Sequence, residues 1–147
     1  MSDNNALRET VKHFLNAHHK AVFAVIDKNG KPATSLMLYT IDDDLNIYFG
    51  TRRAFSKYGD IMKDPSISLS VIEEVIDPLK VVDIRGEAVV VPDNELASTH
   101  AFFKSKNDSK YYVEGADDFV MFKITPTFVR WLDATSGELT MVNLELS

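Results

Sequence analysis

The sequence predicts a mainly β protein with peripheral helices, built as a closed or partly closed antiparallel barrel. Six to eight strand-like runs are set off by turn signals, and their order never repeats a strand–helix–strand unit with a parallel crossover. Gly86 falls inside a long run, 79–91, where it is costly unless it supplies a bulge or a close backbone approach, and a small barrel needs bulged long strands to bend. With 147 residues, 45% of them hydrophobic, and no internal repeat, linker or low-complexity tract, the chain suits a single domain over 1–147.

In order, Asp3 or Asn4 is expected to cap a first helix whose apolar residues Leu7, Val11, Phe14 and Leu15 recur at helical spacing up to His18-His19. Ala21 to Ile26 is apolar on both faces and reads as a buried strand. Asp27-Lys28-Asn29-Gly30 makes a hairpin turn in which Asn-Gly takes the left-handed conformations. Ala33 to Ile41 is the return strand, Asp42-Asp43-Asp44 the next turn, and Leu45 to Phe49 the third strand of an antiparallel meander. A short helix closes at Ile61-Met62 and is stopped by Asp64-Pro65. Ser66 to Ile76 and Leu79 to Val91 are strands around the Asp77-Pro78 turn, and Pro92-Asp93 opens a helix carrying Leu96, Ala97, His100 and Phe103. Tyr111 to Gly115 is a short helical or irregular piece. Asp117 to Thr125 and Thr127 to Leu132 form one strand or two around Pro126, and Leu139 to Leu146 is a final strand after a turn at 134–138.

Composition narrows the function classes. Without cysteine there is no disulfide, thiol redox chemistry or cysteine-ligated metal site, and a cytoplasmic setting is the natural expectation. The start has neither a basic leader nor an apolar h-region, so no signal peptide is expected, and no run is long and apolar enough for a membrane span. A net charge of −6 argues against broad nucleic-acid binding.

Against that acidity, Thr51 to Lys57 places Arg52, Arg53 and Lys57 within six residues. If Thr51 caps a helix, Arg53 and Lys57 share one face, Arg52 and Ser56 a neighbouring one, and the helix N–H groups complete a cup for a phosphate. The alternative is a solvated surface helix. Thr34 to Tyr39 precedes this stretch by one hairpin and is placed to line the same cavity. Trp131, the one tryptophan, suits core or interface packing or a flat aromatic ligand.

Other candidates are weaker. GxGxxG, Walker, HExxH and GxSxG patterns are missing, which leaves cofactor chemistry as the enzymatic option. His13, His18, His19 and His100 have no metal-like spacing. Asp42 to Asp44 suit a turn better than a calcium loop, and Glu73-Glu74 and Asp117-Asp118 are ordinary charge pairs.

The ordered set NGKP, YFGT, a lysine six residues after that threonine, DPSISL, RGEA and ITPTFVRW resembles the flavin-binding split-barrel proteins, the superfamily that includes pyridoxamine 5′-phosphate oxidase. It spans Leu7 to Asp133. The resemblance implies an antiparallel split β-barrel homodimer with one FMN at each of two equivalent sites between subunits. It implies that Thr51, Arg53, Ser56 and Lys57, within the basic stretch that includes Arg52, hold the phosphate. Thr34, Ser35, Leu36, Met37 and Leu38 would run along the isoalloxazine ring, and Trp131 would approach it from the partner subunit. The chain has Phe55-Ser56-Lys57 in place of the oxidase's serine–arginine–lysine triplet, and SGELTMVNLELS has no counterpart of its substrate-binding arginine and histidine region. That points to the smaller general-stress or FMN-binding relatives rather than to vitamin B6 oxidation.

The implied function is an FMN-dependent, flavin reductase-like oxidoreductase that takes a hydride at flavin N5 from a reduced nicotinamide or another donor. No side chain is singled out as catalytic. The alternatives are a non-catalytic carrier, store or sensor of FMN, the deazaflavin F420 or haem, with His18 or His19 as haem-ligand candidates, and a dimeric stress protein with a vestigial site.

Overall fold

The computed structural model describes residues 2–107 and 118–146; the expected Tyr111 to Gly115 piece lies outside them. Chain order is helix α1 (Ser2–Ala17), strands β1 (Lys20–Ile26), β2 (Pro32–Leu38), β3 (Thr40–Ile41) and β4 (Ile47–Arg52), helix α2 (Ser56–Lys63), strands β5 (Ser66–Ile72) and β6 (Lys80–Val90), helix α3 (Asp93–Lys106), then β7 (Phe119–Asp133) and β8 (Thr140–Asn143). All eight strands join one antiparallel sheet, ordered β2-β1-β5-β6-β7-β4-β3, with β8 also on β7.

This is the antiparallel split barrel with peripheral helices. Its two path ends, β2 and β3, are separated in sequence by Tyr39 alone, so the sheet curls until they adjoin. The expected three-stranded meander is therefore corrected. β1–β2 and β3–β4 are hairpins, but the return run breaks at Tyr39, whose buried side chain turns into the split, and β4 pairs with β7 instead of β2. Tyr39 donates its hydroxyl to Leu15 O at 2.6 Å, Asn107 Nδ2 donates to Tyr39 O at 2.7 Å, and Lys106 Nζ lies 3.9 Å from the ring centroid while donating to Leu15 O at 2.9 Å. The ends of α1 and α3 thus plug the split.

Strand alternation sends Phe23, Phe49 and Phe122 inward, with Phe49 edge-on to Phe23 at 4.9 Å and stacked on Phe122 at 5.3 Å. Val11, Phe14 and Leu15 of α1 and Ile61 of α2 close this core. Gly30 takes φ 76° in the β1–β2 turn, as the Asn-Gly pair requires. In the turn before β4, Asp42 is bound by the N–H groups of Asp44 and Asn46, Asn46 Nδ2 and Tyr48 OH, so the aspartate run is a turn.

Gly86 supplies both expected features. The β6–β7 register shifts between Arg85 and Gly86, and a Cβ at 86 would collide with Thr125 O. Pro126 does not divide β7; it lies opposite Gly86 at the bulge, where a missing N–H is tolerated. Asp3 and Asn4 lie within α1 instead of capping it, and Asn4 exchanges two hydrogen bonds with the Glu145 backbone. The fifth strand ends at Ile72, short of Ile76.

Candidate functional site

The basic stretch takes a different local form from the helix expected at Thr51. Residues Ile47, Phe49 and Thr51 alternate inward along β4, and Thr51 is buried opposite Val120. Threonine serves a strand as readily as a cap, and pairing with β7 decides it. Thr51 and Arg52 therefore point to opposite faces of a strand, and Arg52 and Ser56 share no helix face. The chain turns through Arg52 to Phe55, with Phe55 N donating to Arg52 O at 3.0 Å, and α2 starts at Ser56. Phe55 is the residue before α2 and offers no side-chain cap, leaving the first-turn N–H groups without one.

The three cations are placed differently. Arg52 donates through Nε and Nη2 to Asp118 Oδ1 at 2.9 and 2.6 Å, and this contact holds the Asp118 carboxyl below its usual range. Asp118 O also accepts from Arg53 N at 2.7 Å, so one residue at the head of β7 fixes the exit of β4. The exposed Arg53 has its guanidinium 6.0 Å from the centroid of the Tyr58 ring. Lys57 is half-buried; its Nζ lies 2.7 Å from Met37 Sδ, and burial lowers its pKa. No carboxylate pairs with Lys57 among the described residues.

The Lys57–Met37 contact joins the two stretches that the sequence singles out, since Met37 belongs to β2. Along β2, Thr34 and Leu36 are exposed on the outer face, Ser35 is half-buried, Met37 points into the core and Leu38 is half-buried. Trp131 is not beside them. It lies in the core on β7, edge-on to Phe14 at 5.2 Å.

His18 is stacked on Phe14 at 4.1 Å, with Nδ1 2.7 Å from Phe14 O and Nε2 3.3 Å from Glu73 Oε1; His19 Nδ1 lies 3.3 Å from Asn107 Oδ1. Among the described residues no His, Asp and Glu cluster could hold a metal ion. Sequence reasoning passed over Asp118 as half of a charge pair, because only the β4–β7 register brings it to Arg52. No described helix is long and apolar enough to cross a membrane.

A sequence model of one protein family, described as Pyridoxamine 5′-phosphate oxidase, matches residues 7–132. No curated protein matches the chain. Among solved structures, a heme binding protein from Mycobacterium smegmatis aligns with TM-score 0.73 and 19% identity over 90% of this chain and 56% of its own, so the present chain spans just over half of that protein. A conserved hypothetical protein from Mycobacterium tuberculosis aligns with TM-score 0.74 and 20% identity, covering 91% of this chain and 89% of its own. The General Stress Protein 26 from Bacillus anthracis gives TM-score 0.69 and 20% identity over 94% and 98%.

Proposed function

The chain belongs to the pyridoxamine 5′-phosphate oxidase family, and from that premise we propose that it binds FMN and acts as a flavin reductase-like oxidoreductase. The observation that carries this reading is Lys57, a half-buried ammonium with a thioether neighbour and no carboxylate partner among the described residues. A buried charge left in that state favours an incoming anion. The uncapped first turn of α2 adds N–H groups and a positive dipole end beside it, so the residues present suit a phosphate.

In this proposal Lys57, Arg53, Ser56 and the α2 amides hold the FMN phosphate, and Thr51 closes the floor from β4. Arg52 acts through Asp118 as a strut that fixes the loop. The Thr34 to Leu38 strand runs along the ring, which when bound supplies two-electron chemistry at N5. Two copies form the working unit, with the sites between them, and the partner subunit completes the ring pocket, while Trp131 stays in the core of its own chain. A reduced nicotinamide is the proposed electron donor.

The test is the visible spectrum of the freshly purified protein, with identification of any chromophore released on denaturation. The expected result is a yellow protein holding FMN, with affinity about a hundredfold weaker in a folded Arg53→Ala/Lys57→Ala double variant. Unchanged affinity in that variant would remove the phosphate assignment. Stoichiometric FMN that neither NADH nor NADPH reduces would favour a carrier or sensor.

A further inference from the structure

The outer face of the sheet carries a second feature, on the opposite side of β2 from the Lys57–Met37 contact. A cavity of about 510 Å³ opens there, within the ~300–1,000 Å³ range of small-molecule sites. Ala24, Ser68 and Gly86 form a low floor because their side chains are small or absent, and Ile26 and Pro32 make an apolar wall. The opposite wall is built by the β6–β7 bulge. Arg85 pairs with Phe128 and Gly86 with Pro126, so Thr127 is the extra residue, and its hydroxyl donates to Arg85 O at 3.2 Å. A bulge of this kind re-aims the side chains beside it.

The side chain it aims is Arg85. Its guanidinium is exposed and lies 4.2 Å from the centroid of the Phe128 ring, which supports one face of the fork and leaves the in-plane N–H groups directed to their surroundings. On the same sheet face Arg130 is paired with Asp83 at 2.8 Å, whereas Arg85 has no carboxylate partner among the described residues. Exposed Ser66, Ser68 and Thr127 add hydroxyls around it, and Glu87, also unpaired among the described residues, stands two positions further along β6.

We propose that this outer-face groove is a binding site for a small organic acid, a carboxylate on an apolar body that also carries a hydrogen-bond donor. Arg85 takes the carboxylate as a bidentate pair, Ala24, Ile26 and Pro32 receive the apolar body, and Glu87 with the serine hydroxyls accepts the donor. Glu87 also disfavours ligands with more than one negative group by like-charge repulsion. The groove lies on the face of β2 opposite the Lys57–Met37 contact, and Ala24 on its floor is the register partner of Thr34.

The test is an amide-resolved NMR titration of the full chain with 4-hydroxybenzoate and with its uncharged analogue 4-hydroxybenzyl alcohol. The acid is expected to give saturable shifts at Ser66, Ser68 and Thr127, and the alcohol to bind at least about tenfold more weakly. Arg85→Met, which keeps the stem on Phe128, should weaken the acid about tenfold or more, and Glu87→Gln, which exchanges a charged acceptor for a neutral one, should weaken it severalfold. Unchanged core amides such as Phe49 establish that each variant is folded, and Glu87→Gln decides the matter if Arg85→Met is not. No saturation by about 10 mM acid, or wild-type titration in both variants, would overturn the proposal. So would groove amides that shift with protein concentration alone and exclude the probe, since a second copy would then be the occupant.

Discussion

Lys57 is the residue at which the proposed flavin site is most sensitive to solution conditions. Water is largely withdrawn from its ammonium, a thioether is a weak acceptor, and the imbalance lowers its pKa below the ordinary 10.5. Arg52, one strand position beyond Thr51, has the opposite situation, because Asp118 already satisfies its fork. A phosphate that enters beside Lys57 favours the charged form, so FMN affinity should be highest while the free protein still holds that proton. It should then decline as pH rises toward the range of an ordinary lysine, a fall that begins below that range because burial lowers the Lys57 pKa. Fluorescence titration of FMN across that range checks it. Lys57→Arg should retain binding and flatten the profile, and a decline that persists in Lys57→Arg would place the titrating group elsewhere.

At the scale of elements, two strand glycines face different obstacles. A Cβ at Gly86 meets the carbonyl oxygen of Thr125 and lies 2.8 Å from Ile124 Cγ2, whereas at Gly50 it meets the outer ring atoms of Phe119 and Met121 Sδ at 2.8 Å. Side-chain ends can move and a paired backbone cannot. Gly86→Ala should therefore cost about 1–3 kcal/mol in urea denaturation and Gly50→Ala less; the reverse order would show that the bulge yields more easily than the aromatic cluster. Gly86 was legible in the sequence because glycine in a long strand needs a reason. Asn29-Gly30 was legible for the same kind of cause, a backbone conformation that few residues tolerate. The break at Tyr39 was not, since Ala33 to Ile41 is uniformly strand-like and only the curl of the sheet, with Leu15 O and Asn107 waiting, turns that ring inward. Thr51 was misread for a related reason: threonine satisfies a cap and a strand equally, and the partner on β7 lies some seventy residues away. The helix ends at the split carry a further consequence. Burial lowers the Lys106 pKa to about 8, so over pH 8 to 10 the unfolded chain holds a proton that the folded chain has released. Folding stability should rise through that window relative to Lys106→Met, measured by parallel urea titrations; parallel curves for the two proteins would mean that Lys106 is not desolvated at the split.

Across the whole molecule, the outer face is partitioned by the strand registers. Toward one end, Leu36, Val22 and Ser70 align on neighbouring strands, and the next outward row runs Ile72, Val81, Leu132 and Met141. Val22 is 42% exposed, Leu36 65%, Ile72 48% and Met141 60%, an apolar concentration that a lone chain leaves in water. Toward the other end lie the small residues of the groove below Arg85. In the proposed homodimer the apolar rows are the natural contact, because they include Leu36 on the strand assigned to the flavin ring and place that strand at the seam. Val22 separates the two roles: it lies in the apolar patch and outside the proposed ligand-holding residues. Val22→Asp should leave the fold intact, since the side chain points outward, yet sediment as a monomer at micromolar concentration where the parent chain sediments as a dimer. Its FMN affinity should fall with dimer content and recover at higher protein concentration, because each site lacks its second wall in the monomer. A folded Val22→Asp that still dimerises would move the contact to another face. A monomer that binds FMN as tightly as the parent would place the whole site within one chain, leaving Lys57 and β2 to hold the flavin unaided.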